Sequence, residues 1–238
     1  MRLSEVYTSV QGEGPNTGEP TTFVRFGGCN LRCPGWGTGT LPDGTVVKGC
    51  DTVFAVYPEW RGSWETVTPE GLLDRIPEQP RRVCITGGEP LTQRTSDLNT
   101  FAEDLLVRGH HIDLFTNGTI FLKPFLWAHR DLATTTVMDY KLPGSGERDA
   151  FHWGNLKYLS DKDVIKFVIK DEVDLAVAKE TMEQMQEMKP QWGPQFWFGS
   201  VWGSDTAELV ESINRMNLPV RLNLQTHKYV WAPNARRR

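Results

Sequence analysis

The chain has 238 residues, a formal net charge of −4, and 39% hydrophobic and 24% charged residues. This composition is ordinary for a globular domain that buries a substantial core. The charge gives no reason to expect a nucleic acid or an anionic membrane as a partner. No apolar run approaches the roughly 18 residues of a membrane span, and a signal peptide's apolar region is missing, so we expect a cytoplasmic protein.

The predicted elements alternate between strands and helices along the chain. We predict strands at 3–10, 22–26, 82–86, 112–116, 135–138, 164–169, 196–200 and 219–224, and helices at 68–76, 96–108, 171–188 and 206–216. Residues 53–64 have no regular pattern. This alternation predicts an α/β fold with a mainly parallel sheet, either open or curled towards a barrel. No long linker divides the chain, so we expect 1–238 to be a single domain.

A loop with three cysteines follows the second predicted strand. Cys29 and Cys33 come directly after it, and Cys50 follows a glycine-rich, loop-like stretch at 34–49. The fourth cysteine, Cys84, lies inside a predicted strand and is expected to be a small core residue. This uneven spacing is typical of a cytosolic metal site and not of a disulfide framework. The residues leave three possibilities open: three ligands of a four-iron, four-sulfur cluster, a zinc site completed from elsewhere, or free thiols.

Further polar residues stand where other predicted strands end. Gly87-Gly88-Glu89 follows the strand at 82–86, and its glycines allow the backbone to approach a ligand closely. Glu89 offers a carboxylate to a cation such as an amino group. Asn117, Lys141 and His227 follow later strands. Because ligands bind at the carboxyl ends of strands in such folds, we expect these residues to share one mouth.

Several short motifs follow one another in a fixed order over nearly the whole chain. They occupy 7–14, 23–31, 50–52, 86–90, 116–118, 139–146 and 225–228. Each motif alone is weak, but the ordered set resembles the 7-carboxy-7-deazaguanine synthase (QueE) family of radical S-adenosylmethionine enzymes. The Gln-Gly-Glu-Gly segment at 11–14 together with Cys-Asp-Thr at 50–52 distinguishes this family from others in the radical S-adenosylmethionine superfamily.

The resemblance implies an incomplete, modified (β/α) barrel of the radical SAM type, usually a homodimer. It implies that Cys29, Cys33 and Cys50 bind a 4Fe-4S cluster whose fourth iron takes S-adenosylmethionine. The residues implied for cofactor binding are Gly87, Gly88, Glu89, Asn117, Lys141 and Ser145. The implied reaction converts 6-carboxy-5,6,7,8-tetrahydropterin into 7-carboxy-7-deazaguanine by ring contraction with loss of ammonia. An electron donor such as flavodoxin or ferredoxin would supply the electron.

The resemblance also implies a substrate pocket and a Mg²⁺ ion. The implied substrate-binding residues are Gln11, Gly12, Glu13, Gly14, Arg25, Gly87 and His227. Thr52 is the expected protein ligand of Mg²⁺, which would hold the substrate carboxylate. Arg25 would face that carboxylate with its planar fork, although a strand arginine could instead form a surface ion pair.

The chain departs from the superfamily pattern in the cysteine loop. Trp36 stands where the common spacing would place the third cysteine, so 34–49 is interpreted as a tolerated insertion. Two alternatives remain for function: another radical S-adenosylmethionine enzyme, such as a glycyl-radical activase, or a non-catalytic zinc-loop binding module. The basic end at 236–238 is interpreted as a solvated tail.

Overall fold

The computed structural model describes residues 1–34, 37–125, 133–189 and 193–231. Its strands are β1 (Arg2–Val10), β2 (Pro20–Phe26), β3 (Thr38–Thr40), β4 (Val46–Lys48), β5 (Glu65–Thr66), β6 (Arg82–Gly87), β7 (His111–Thr116), β8 (Thr134–Tyr140), β9 (Val164–Ile169), β10 (Gln195–Ser200) and β11 (Arg221–Leu222). Its α-helices are α1 (Val53–Val56), α2 (Pro69–Leu73), α3 (Thr95–Val107), α4 (Glu172–Met188), α5 (Thr206–Arg215) and α6 (His227–Val230). Trp36 and the tail at 236–238 lie outside the described residues.

One large sheet organises the described part of the chain, in the order β11-β10-β9-β8-β7-β6-β2-β1-β5. Seven neighbouring strands of this sheet run parallel: β11, β10, β9, β8, β7, β6 and β2. At the β2 side the sheet continues with β1, which is antiparallel to β2, and with β5, which is antiparallel to β1. Since β11 and β5 end the order without pairing to each other, the sheet is not closed into a barrel. The expected incomplete (β/α) barrel is therefore confirmed.

The two faces of the sheet bury different kinds of side chain. Ile165, Phe167 and Ile169 of β9 belong to the main hydrophobic core, together with helix residues such as Phe101 of α3 and Met182 of α4. The other face of the same strands carries a small apolar cluster of Val137, Val164 and Trp197 with Phe115 packed against it. Alternation of side chains along a strand therefore directs one set to the helices and the other to the inner face.

The longer helices lie where the sequence predicts them, because caps and periodicity are local signals. The Thr68 side chain accepts a hydrogen bond from the Gly71 N–H, and Asp171 and Asp205 cap α4 and α5 in the same way. Helix α2 is shorter than the predicted 68–76, and the 53–64 stretch contains α1 followed by a 3₁₀ turn at Pro58–Ser63. None of the described helices is long and apolar enough to cross a membrane.

Two predicted elements differ from the structure. The insertion at 34–49 contains an antiparallel hairpin, β3–β4, with Thr38 opposite Lys48 and Thr40 opposite Val46. Asp43-Gly44 between two short β-prone runs is a hairpin signal, which our loop interpretation did not use. The strand predicted at 219–224 is reduced to β11, which pairs only through Arg221 and Leu222 to β10. An edge strand has one neighbour, and Pro219 cannot donate a backbone hydrogen bond.

Candidate active site

A cavity of about 790 Å³ opens where the parallel strands end. Its walls come from β1, β2, β6, β7, β8 and β9, from the cysteine loop, and from the segment around α6. The predicted site residues that line it are Gln11, Gly12, Glu13, Arg25, Cys29, Cys33, Cys50, Thr52, Gly87, Gly88, Asn117, Lys141 and His227. Gly14, Glu89 and Ser145 do not line it. The tertiary fold thus brings most of the predicted residues to one place.

The three cysteines of the loop all face this cavity. Cys29 follows β2, and its sulfur accepts a hydrogen bond from the Leu31 N–H at 3.4 Å and lies 3.7 Å from the Asn117 Nδ2 donor. The Cys50 sulfur lies 3.2 Å from the Thr52 hydroxyl. Donors directed at sulfur are the kind of surrounding that stabilises a metal-bound thiolate.

A buried cation, Lys141, lines the same cavity as the three thiols. Burial raises the pKa of Cys29 and of Cys33, and it raises the pKa of Cys50 to about 12. The positive charge of Lys141 opposes this rise in pKa at all three cysteines. Without a metal group these thiols are protonated at neutral pH, and binding one would release their protons.

The donor set fits a four-iron cluster. Three thiols of one loop line the cavity, so they can bind three irons and leave the fourth iron without a protein ligand. The Leu31 N–H at the Cys29 sulfur and the buried Lys141 cation in the same cavity suit a negatively charged group.

The Gly87-Gly88-Glu89 turn packs tightly against the start of the cysteine loop. A Cβ on Gly88 would lie 2.4 Å from the Gly28 carbonyl oxygen, so a larger residue cannot occupy this position. Glu89 is fully buried, and its carboxylate accepts hydrogen bonds from the Thr116 hydroxyl at 2.8 Å and the Asn117 N–H at 2.6 Å. Burial raises the pKa of Glu89 to about 7. Glu89 thereby joins the ends of β6 and β7 and places Asn117 at the cavity wall.

The other two predicted residues outside the cavity wall have partners of their own. Ser145 is fully buried, and its hydroxyl donates to the Leu142 carbonyl at 2.6 Å and accepts from the Glu147 N–H at 3.2 Å. The Gly14 N–H donates to Asn223 Oδ1 at 3.0 Å. These contacts shape the turns next to the cavity.

Glu13 lies on the loop after β1 and lines the same cavity as the thiols. Its carboxylate accepts hydrogen bonds from Lys166 Nζ at 2.7 Å and from Gln225 Nε2 at 2.8 Å. Burial alone would raise its pKa, but Lys166 and Gln225 together lower the pKa of Glu13 to about 2. Glu13 is therefore ionised at neutral pH and acts only as a hydrogen-bond acceptor.

Arg25 of β2 faces the cavity and is paired to a buried acid. Its Nε lies 3.0 Å from Glu5 Oε1, its guanidinium reaches the Tyr7 hydroxyl at 3.4 Å, and it lies over the Phe54 ring. The Arg25 side chain is 15% exposed and that of Glu5 is 2% exposed. The alternative of a surface ion pair for Arg25 is therefore wrong.

The segment around α6 closes the cavity beside Gly12. The Thr226 N–H donates to the Gly12 carbonyl at 3.0 Å, and the His227 ring lies so close that a Cβ on Gly12 would be 2.2 Å from its Nδ1. Burial lowers the pKa of His227, so the imidazole is neutral at pH 7. Lys228 Nζ lies 3.5 Å from the Asp51 carboxylate, and this ion pair connects the segment around α6 to the cysteine loop.

Lys166 and Asp139 are among the charged residues of the cavity that sequence reasoning did not assign to the site, together with Glu5, Asp51 and Lys228. Lys166 pairs with Asp139 Oδ1 at 3.1 Å, and Lys141 pairs with Asp139 Oδ2 at 3.0 Å. A signal for Lys166 existed, because it is the single charged residue within the apolar run of β9. A buried charge of this kind requires a partner, which the sequence does not identify.

The open, mostly parallel α/β sheet, with a thiol loop and buried charges lining one cavity, is a partial-barrel fold with a candidate active site. No protein-family model matches the chain. The 7-carboxy-7-deazaguanine synthase of Thermoplasma acidophilum is 34% identical over 232 residues, covering 97% of each chain. That of Clostridium acetobutylicum is 32% identical over 241 residues, covering 99% of this chain and 98% of the relative. This chain belongs to the 7-carboxy-7-deazaguanine synthase family.

A solved structure supports the fold independently. QueE from Escherichia coli superposes with a TM-score of 0.70 and 23% identity, covering 95% of this chain and 94% of that chain. At this identity the likeness concerns the fold, and it agrees with the open, mostly parallel sheet. The resemblance inferred from the ordered motifs is confirmed by the relatives' near-complete coverage.

Proposed function

We propose that this protein converts 6-carboxy-5,6,7,8-tetrahydropterin into 7-carboxy-7-deazaguanine by radical ring contraction with loss of ammonia. The observation that supports it most is one cavity lined by two chemically different sets of side chains. Three thiols and Lys141 form one set, and Glu13, Arg25 and His227 belong to the other. A redox cofactor and a polar heterocycle could thus share a space closed by the strand ends.

Cys29, Cys33 and Cys50 would hold the 4Fe-4S cluster, with S-adenosylmethionine on the iron that lacks a cysteine. The chemistry that the bound cofactors supply is hydrogen-atom abstraction at C6 of the substrate. Asn117, held by Glu89, and the Gly87-Gly88 backbone would contact the S-adenosylmethionine, while Lys141 would balance negative charge near the thiolates. Ser145 would shape the adjoining turn through its bonds to Leu142 and Glu147.

The chain's own side chains would orient the substrate. Ionised Glu13 accepts hydrogen bonds, which suits the N–H groups of a pterin's pyrimidine edge, and the Gln11 amide offers both a donor and an acceptor. Arg25 would face the substrate carboxylate with its planar fork. Gly12 leaves room for the neutral His227 ring, which would line the substrate pocket, and Gly14 would hold the loop through Asn223.

A Mg²⁺ ion would complete the site at Thr52. Thr52, which carries a hydroxyl, lines the cavity next to Asp51. Mg²⁺ commonly takes only one or two protein ligands together with substrate oxygens and water. The ion would hold the substrate carboxylate and so direct the rearrangement. We also propose a homodimer and an electron donor of the flavodoxin or ferredoxin type, as the family resemblance implies.

The decisive experiment is anaerobic reconstitution with iron and sulfide, followed by dithionite, S-adenosylmethionine and the carboxytetrahydropterin. We expect a brown protein that forms an absorbing deazapurine, identified by mass spectrometry. Cleavage of S-adenosylmethionine that depends on some other substrate would indicate a different radical enzyme. A colourless protein that takes up stoichiometric zinc and rejects iron would contradict the proposal.

Replacing Thr52 tests the magnesium site separately. We expect Thr52→Ala to raise the Mg²⁺ concentration needed for half-maximal activity by roughly tenfold, since one protein oxygen is lost. Thr52→Ser keeps the hydroxyl and serves as the matched control, with a response close to that of the unmodified protein. An unchanged Mg²⁺ response in Thr52→Ala would show that the ligand assignment is wrong.

A further inference from the structure

The most apolar strand of the sheet carries a lysine on its inner face. Lys166 lies in β9 between Ile165 and Phe167, whose side chains enter the main core on the other face. The Lys166 side chain is only 9% exposed, and its Nζ lies 5.8 Å from the centre of the Phe115 ring. Burying an ammonium at such a position is costly unless acids and hydrogen bonds compensate it.

The compensation comes from two acids on different segments. Lys166 Nζ lies 2.7 Å from Glu13 Oε2, on the loop after β1, and 3.1 Å from Asp139 Oδ1, in β8. Asp139 in turn pairs with Lys141 at 3.0 Å. Two carboxylates and two ammonium groups thus form a buried row with no net charge, which runs from Glu13 towards the thiols. Lys166 is the member that contacts both acids.

We propose that Lys166 is a positioning residue that keeps the Glu13 carboxylate ionised and aimed into the cavity to accept the N–H groups of the substrate. The inference rests on the proposed function, because the proposed function assigns to Glu13 the recognition of the N–H groups of a pterin-like substrate. Lys166 itself need not touch the substrate. It occupies one side of the carboxylate and leaves further lone pairs for a ligand.

The surroundings of Glu13 explain why this lysine is needed. Gln225 donates to the carboxylate at 2.8 Å and Asn223 at 3.5 Å, but both side chains are neutral amides. Other ionisable groups that act on Glu13 are His227, which burial keeps neutral at pH 7, Asp139, which is an acid, and the Cys84 thiol, whose pKa burial raises. Among the described residues, Lys166 is therefore the full positive charge in direct contact with Glu13.

Removing this charge changes the protonation of Glu13. The carboxylate would keep its burial and its two amide donors, and burial is the largest influence on its pKa. The pKa of Glu13 would then rise from about 2 towards neutrality, and a protonated Glu13 would present an O–H in place of an acceptor. Substrate affinity would consequently improve as pH rises and Glu13 ionises. In the unmodified protein Glu13 stays ionised between pH 6 and 9. Its protonation therefore gives the substrate affinity no pH dependence over this range.

The test compares Lys166→Met with the charge-conserving Lys166→Arg across pH 6 to 9. We expect the KM for the carboxytetrahydropterin in Lys166→Met to rise roughly tenfold to hundredfold at pH 6, as for loss of a hydrogen bond to a charged group, and to recover at high pH. The kcat should change less than KM. Lys166→Arg should restore a flat profile within a few-fold of the unmodified protein. Equal losses at every pH, or no rescue by arginine, would overturn the proposal.

A double-mutant cycle with Glu13→Gln isolates the route through Glu13. If Lys166 acts through this carboxylate, Lys166→Met adds little to the KM of Glu13→Gln, and the double variant has no pH dependence of KM from this source. Full additivity would mean that Lys166 acts elsewhere. Infrared difference spectroscopy of the metal-free protein gives a second readout: Lys166→Met should show a protonated-carboxyl band in addition to that of Glu89 in the unmodified protein, and this additional band should be absent from the double variant.

The infrared result separates this proposal from the proposed function. An unmodified protein that makes no deazapurine would refute the function, yet the additional protonated-carboxyl band would still test the role of Lys166. If Lys166→Met does not fold, Lys166→Met with Asp139→Asn removes one positive and one negative charge together and keeps the row balanced. The same infrared band is expected in that variant, and its absence would contradict the proposal.

Discussion

Two sets of side chains in the cavity, named here the thiol end and the charged end, are drawn from the chain in opposite ways. The thiol end, defined by Cys29, Cys33, Cys50 and Lys141, draws its three sulfurs from one loop close to the end of β2. The charged end, defined by Glu5, Glu13, Arg25 and Lys166, draws its members from β1 and the loop after it, from β2, and from β9. Lys166 and Glu13 are separated by 153 positions in the chain.

The two ends also differ in how far the protein itself satisfies their polar groups. At the thiol end, burial raises the pKa of all three cysteines, so their ionised form needs a metal group. At the charged end, each acid already faces a cation, as Glu5 faces Arg25 and Glu13 faces Lys166. Changes at the thiol end should therefore affect ligand binding, whereas changes at the charged end should affect folding as well.

The largest expected effect is at the thiol end. We expect Cys50→Ala to abolish retention of a 4Fe-4S cluster, because the loop then offers only two thiolates. The unfolding free energy of the metal-free protein should change little, since Cys50 is only half-buried on a loop. Iron and sulfide analysis after reconstitution, with urea unfolding of the metal-free form, measures both.

Cys84 provides the matched control for that prediction. It is buried within β6 at 1% exposure, and burial raises the pKa of its thiol well above the ordinary range. Although Cys84 also borders the cavity, we assign it to the sheet and not to the cluster. Cys84→Ala should keep its iron. If it loses the cluster as Cys50→Ala does, the assignment of the three ligands is wrong.

The next effect concerns stability at the charged end. Arg25→Met leaves the Glu5 carboxylate, 2% exposed, without its closest cation. Removing one partner of a buried pair costs about 3–5 kcal/mol of unfolding free energy. The control is Arg75→Met, which breaks the exposed pair with Glu65 and should cost far less unfolding free energy. Equal costs in urea unfolding would show that burial does not distinguish the two pairs.

The smallest effect is a pH dependence in which Glu89 and Glu13 have opposite signs. The pKa of Glu89 rises from the ordinary 4.5 to about 7 in the fold, so its contribution to stability is fully present below pH 4.5 and is lost as pH rises through 7. The pKa of Glu13 falls from 4.5 to about 2, so its contribution is present above pH 4.5 and is lost as pH falls through 2.

Urea unfolding of the metal-free protein between pH 5 and 8 measures the Glu89 part. At about 1.4 kcal/mol per pKa unit, we expect Glu89 to lower stability by about 2–3 kcal/mol over this range. Glu89→Gln should remove this slope, whatever its effect on absolute stability, and Glu13→Gln should leave it unchanged. A slope that persists in Glu89→Gln would mean that another group titrates.

Local signals explain what could be predicted of the fold. Each end of helices α3, α4 and α5 lies within one residue of the predicted end, because periodicity and capping depend on neighbouring residues. The limits of β11 depend on which backbone groups find a partner across the sheet, and only two residues pair there. Pairing between distant segments leaves no local mark on either of them.

The sequence by itself determined an α/β fold with a mainly parallel sheet, the three-cysteine loop and the family, because each is recorded in the order and spacing of motifs along the chain. Only the tertiary structure decided which charges meet. It turned Glu89 away from the cavity to bind Thr116 and Asn117, paired Arg25 with buried Glu5, and brought Lys166 to Glu13. The reason is physical: burial and ion pairing depend on distances in space, which residues far apart in the chain acquire only when the sheet forms.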